Sequence, residues 1–113
     1  LVGDASNMIN AGGVKLDGIL PKLNSIQILN ADSGSAVDQL RAKLSSYIKK
    51  LNLEVLMQTK EDDEVTMIYF VESKDFKKDL SRLILFVDEK DEVTFIGLSG
   101  AFKLEDLKDM MAK

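Results

Sequence analysis

The sequence predicts an α+β domain in which a mainly antiparallel sheet of about five strands is packed by a long central helix and a C-terminal helix. Three patterns carry that reading. Apolar residues recur at three- and four-residue spacing from Val37 to Leu51. From Leu53 the period switches to two and holds, with interruptions, to Leu98. Acidic clusters at Glu61–Glu64 and Asp88–Glu92 then break the alternating stretches, as turns do.

The elements follow in order. A short helix is expected over Asp4–Ala11, ended by Gly12-Gly13, with Met8 and Ile9 inward. A second is expected over Lys15–Leu23. Pro21 inside it removes a backbone donor and predicts a kink or irregular turn. Ile26–Leu29 reads as a short strand and Asn30–Ser35 as a turn. Ala36–Leu51 is the strongest helix, with Val37, Leu40, Leu44, Tyr47, Ile48 and Leu51 on one face. Ser35 is placed as its N-cap and Asn52 as its left-handed C-cap, and Lys49 and Lys50 suit the negative end of the helix dipole.

Strands are then expected over Leu53–Gln58, Val65–Val71, Leu83–Val87 and Val93–Leu98, joined by short turns into an antiparallel meander. A last helix carries Leu104, Leu107, Met110 and Met111, and is expected to lie beside the long one. A right-handed crossover through the long helix would make the first two strands parallel. The whole is read as one domain, with helices in residues 1–24 and the sheet-and-helix core in residues 25–113.

Composition removes several function classes. The chain has 15 basic and 19 acidic residues among 113, a net charge of −4, which argues against nucleic acid or an anionic membrane surface as partner. With no Cys and no His, disulfides, thiolate chemistry, the usual triads and most transition-metal sites are excluded. No cofactor, metal or catalytic residue is assigned. The chain begins at Leu1 rather than Met and so reads as a processed form or a fragment.

Each chemical pattern in the sequence has a plainer structural explanation. Ser46-Tyr47-Ile48-Lys49 spells S-x-x-K, but Tyr47 and Ile48 belong to the core face, so Ser46 and Lys49 point to water. The acidic turns lack the EF-hand pattern and read as solvated hairpin tips, with a weak calcium site as the metal alternative. Lys74, Lys77, Lys78 and Arg82 form a small basic group offset by Asp75 and Asp79. Ile68, Phe70, Ile84 and Phe86 are placed together on the sheet face opposite the long helix. There they are either core beneath the N-terminal helices or a contact surface for a protein partner or a second copy.

Three stretches also resemble a known family. They are Leu23-Asn24-Ser25-Ile26-Gln27-Ile28-Leu29, the run from Tyr47 to Lys60 with Leu56, Met57 and Lys60, and Phe95-Ile96-Gly97-Leu98-Ser99-Gly100 followed by Leu104 and Leu107. In order and spacing they resemble domain of unknown function 4252, found in exported envelope proteins of Bacteroides-type bacteria. The resemblance implies an upstream signal peptide, often of lipoprotein type. It implies a periplasmic or outer-membrane-associated location, with membrane contact only through a lipid anchor upstream of this chain. It brings no catalytic residues. The functional expectation is a non-enzymatic accessory or binding domain. The alternative is a small hydrolase using carboxylates or a Ser–Lys pair.

Overall fold

The computed structural model describes residues 19–111. The expected helix over Asp4–Ala11, the Gly12-Gly13 break, residues 15–18 of the second expected helix and the side chains of Met110 and Met111 lie outside what is described.

The described chain begins in a 3-10 turn, Leu20–Lys22, with Pro21 in its first positions and the Lys22 N–H bonded to the Ile19 carbonyl at 2.8 Å. The strand expected at Ile26 starts earlier: β1 spans Leu23–Ala31. Its polar residues Asn24 and Ser25 look like turn formers in isolation, but the β5 ladder supplies them with backbone partners. Then come α1 (Gly34–Leu51), β2 (Glu54–Glu61), β3 (Glu64–Val71), β4 (Ser81–Asp88), β5 (Val93–Gly100) and α2 (Leu104–Met111).

Helix α1 begins two residues before the expected Ala36, and Ser33 rather than Ser35 is its N-cap. Asn52 closes it in the left-handed region at φ 55°, with its N–H on the Ile48 carbonyl. Glu61 and Glu64, read as turn residues, are instead the last paired rung of β2 and β3. The turn proper is Asp62-Asp63, and Asp62 takes φ 50°, which Asp tolerates better than most residues.

The strands lie in the order β1-β5-β4-β3-β2, and every neighbouring pair is antiparallel. The two strands joined by α1 therefore point the same way but do not pair, because they are the opposite edges of the sheet. An 18-residue helix is about 27 Å long. Four inter-strand spacings are about 19 Å. The helix is long enough to cross the whole sheet diagonally.

Both faces are apolar and both are covered. On one, α1 lays Val37, Leu40 and Leu44 over Tyr69, Ile84, Phe86, Val93 and Phe95. On the other, Ile68, Phe70, Leu83, Leu85, Ile96 and Leu98 pack with Ile19, Phe102 and Leu107. Two expectations are corrected here. Helix α2 does not lie beside α1. It docks on the opposite face, where Phe102 is fully buried and its ring sits 6.0 Å from that of Phe70.

The proposed surface of Ile68, Phe70, Ile84 and Phe86 is likewise divided between the two faces. The β3–β4 register sets Ile68 opposite Leu85, Phe70 opposite Leu83 and Tyr69 opposite Ile84. Opposed residues share a face, so even-numbered residues of β3 lie with odd-numbered residues of β4. All four side chains are 5% exposed or less.

Candidate functional site

The sheet face under α1 is charged at each end of β4. Residues of one strand parity share a face, so Arg82, Ile84, Phe86 and Asp88 all point toward the helix side. Asp88 is matched there. Arg41, in the second turn of α1, donates to it from Nε at 3.2 Å and from Nη2 at 2.7 Å, a two-pronged pair that pushes the guanidinium further up from its ordinary value. Arg82 has no such partner among the described residues. The ion pairs among the described residues are Arg41–Asp88 and Lys22–Asp106.

Arg82 instead lines a groove between the C-terminal half of α1 and the β1–β5–β4 side of the sheet. Its register partner on β5 is Ser99, and the partner of Ser99 on β1 is Ser25. The two hydroxyls are hydrogen-bonded to each other at 2.5 Å. Gln27 lines the same wall one step along.

The floor is apolar and depends on a glycine. Gly97 has no side chain, and the Phe95 ring folds over it. A Cβ there would sit 3.1 Å from that ring. Tyr47 of α1 stacks on the outer side of Phe95 with ring centroids 5.9 Å apart. The cavity is about 80 Å³, room for roughly two or three water-sized groups before it opens to solvent. Among the described residues Arg82 is the one charged residue in its lining, so the groove is biased toward an anion. Five N–H donors in a planar fork suit a carboxylate best.

The residues singled out from sequence are placed elsewhere. Ser46 and Lys49 are exposed on α1. The acidic tips flank one open trough at the end of the sheet, and among the described residues no group of three acids is arranged to hold a metal ion. Lys74 and Lys77 line a separate hollow with Lys103, away from the groove that Arg82 faces. Sequence reasoning missed that groove because Arg82 was grouped with the loop lysines beside it. The available signal was the parity of β4, which turns Arg82 and Asp88 to the same face as Ile84 and Phe86.

A family model described as Domain of unknown function (DUF4252) matches residues 3–110. The chain belongs to the DUF4252 family. No curated protein and no solved structure matches it. In this DUF4252 chain, no helix among the described residues is long and apolar enough to cross a membrane. That family supplies no ligand, so the groove must be read from its own chemistry.

Proposed function

We propose that this DUF4252 chain is a non-enzymatic binding domain of an exported cell-envelope protein, and that it holds a small carboxylate in the groove beneath α1. The observation that carries the reading is Arg82. It is a half-buried cation beside three neutral hydrogen-bonding side chains, with no described acid to pair with. A partly desolvated guanidinium facing a cavity recovers most when a carboxylate accepts two of its N–H groups. Ile84, Leu51 and the Phe95 ring offer a short alkyl chain a dry floor.

The hydrolase alternative draws no support from Ser46 and Lys49 or from the acidic tips, all exposed to water. The envelope location rests on the family resemblance, which brings with it a signal peptide and a lipid-attachment Cys upstream of this chain. Fractionating cells that express the full-length gene tests it. Protein confined to the cytosol would overturn that half of the reading.

The binding half is tested by two-dimensional amide NMR with butyrate and, separately, butyramide. Butyrate should move the Ser25, Gln27, Gly97 and Ser99 amides saturably, and butyramide should not. Arg82→Gln should abolish the response, while Ser46→Ala and Lys49→Ala should leave it intact. Equal responses to acid and amide, or an unaltered response in Arg82→Gln, would overturn it.

A further inference from the structure

Among the described residues β1 has a neighbouring strand on one side only, β5. Exposed strand edges invite pairing with other chains, and proteins usually blunt them with charge, proline or bulges. The opposite edge follows that rule. Strand β2 carries Glu54, Lys60 and Glu61 and is bulged between Val55 and Met57. Strand β1 does not. Its nine residues, LNSIQILNA, contain no charge and no proline, and its irregularity is confined to the first residues, between Leu23 and Ser25. Asn24, Ser25, Gln27, Ile28 and Asn30 are exposed along it. Ile28, 37% exposed, is one of two large apolar side chains left in water among the described residues.

The strand is also complementary to itself. It is bounded by Lys22 at one end and Asp32 at the other. Antiparallel pairing of two β1 strands centred on Gln27 sets Ile26 against Ile28 of the second copy, and Ile28 against its Ile26. The four isoleucines then form one apolar cluster on a shared face, covering the side chain that the single chain leaves exposed. The same pairing carries Lys22 of each copy to the Asp32 end of the other. Lys22 already holds both Asp106 carboxylate oxygens, at 3.0 and 3.1 Å, but its ammonium keeps a further donor and its side chain is 46% exposed. The charge match extends beyond the strand. The Glu89–Glu92 tip stands at the Asp32 end, next to Val93, which pairs with Ala31. Antiparallel pairing turns that acidic end of one copy toward the Lys22 end of the other.

We infer that β1 is a homodimerisation edge, pairing antiparallel with β1 of a second copy about a two-fold axis at Gln27 to make one continuous sheet. The contact is isologous and closes on itself, so it yields dimers rather than fibres. It is independent of what the groove binds, although Ser25 and Gln27 place both grooves beside the seam.

Sedimentation equilibrium of the full chain, from low to hundreds of micromolar, tests the inference. The expected result is a concentration-dependent rise to twice the chain mass. Gln27→Lys sets two ammonium groups face to face at the axis and should leave a folded monomer with an unchanged circular dichroism spectrum and a thermal midpoint that no longer rises with concentration. Ile28→Glu serves as a second variant read in the same way. Val55→Lys, on the other edge, should still dimerise. In the wild type, amide exchange over Ser25–Asn30 should slow as concentration rises, with β2 unchanged. A wild type that stays monomeric at the highest concentration, a folded Gln27→Lys that still dimerises, or loss of the dimer in Val55→Lys would each overturn it.

Discussion

Gly100→Ala should be among the most damaging single-methyl additions available in this chain. Gly100 is buried at the end of β5, where the chain entering β1 passes over it. A Cβ there would lie 2.3 Å from the Lys22 carbonyl oxygen and 3.0 Å from the Leu23 Cα. Both are backbone atoms, so no side-chain rotation relieves the clash. The start of β1 must move. That movement pulls Lys22 away from the Ala101 N–H it accepts at 3.1 Å and strains the Leu23–Gly100 rung. Overpacking of this kind costs about 1–3 kcal/mol. One or two weakened backbone hydrogen bonds add about 1 kcal/mol each. The stiffer unfolded chain returns about 0.5–1 kcal/mol. The net expectation is a loss of about 1–4 kcal/mol, read from urea unfolding followed by far-ultraviolet circular dichroism, since there is no Trp to report fluorescence. Gly34→Ala is the control. Nothing lies within 4 Å of a Cβ at that first position of α1, so it should stabilise by about 0.5–1 kcal/mol. A Gly100→Ala protein within about 0.5 kcal/mol of wild type would refute the steric argument.

Two further predictions follow from the second face. Asp106 accepts the Lys103 backbone N–H at 2.8 Å and pairs with Lys22, which together hold its carboxyl below the ordinary carboxylate range. A lowered folded-state value gives stability that is complete above the unfolded value and is lost as pH falls through the folded one. Asp106→Asn should therefore be less stable than wild type at neutral pH. The gap should close on acidification below the carboxylate range, measured as denaturation midpoints across pH; a pH-independent gap would refute the assignment. Phe70→Asp should abolish cooperative unfolding, because it removes a ring buried against Phe102 and leaves an unpaired charge in its place. Phe70→Leu should fold with a loss of about 1–2 kcal/mol, and a folded Phe70→Asp would show the position to be less buried than its 5% exposure implies.

The sequence disclosed elements more readily than faces. The spacing from Val37 to Leu51 marks α1 unambiguously, since a strand cannot use a 3.6-residue period. Asn52 marks its end because few residues tolerate positive φ. The extent of β1 was hidden, because Asn24 and Ser25 become strand residues only when β5 supplies their partners. The face assignment of Ile68, Phe70, Ile84 and Phe86 failed for a related reason. Alternation along one strand is local, but the parity between strands is set by the Glu72–Leu80 connection and its tertiary bonds. Among these, the Ser73 N–H donates to the buried Ser81 hydroxyl at 2.9 Å. A shift of one residue there exchanges every side chain between the faces. The side taken by α2 was equally illegible, because its spacing shows an apolar stripe without saying which of two apolar faces receives it.

The double covering of the sheet decides where recognition can occur. A strand set as apolar as β3 and β4 would present a docking surface if one face were bare, and the burial of Ile68 and Phe70 on one side and Ile84 and Phe86 on the other removes that option within a single chain. What remains is the perimeter: the hairpin ends, the two strand edges and the slot where α1 parts from the sheet. The ends are charged and open to water, where ion pairs give little affinity. The slot differs because half-buried Arg82 lines it with no acid partner among the described residues, so an arriving carboxylate gains a pairing that those residues leave unmet. The β1 edge differs because it lacks the charges that defend β2. A protein that keeps charge off one edge of its sheet, and leaves one inward arginine without an acid partner among the described residues near that edge, has concentrated the unsatisfied interactions of those residues in one region of its surface. The physical expectation is that ligand and partner meet the chain there.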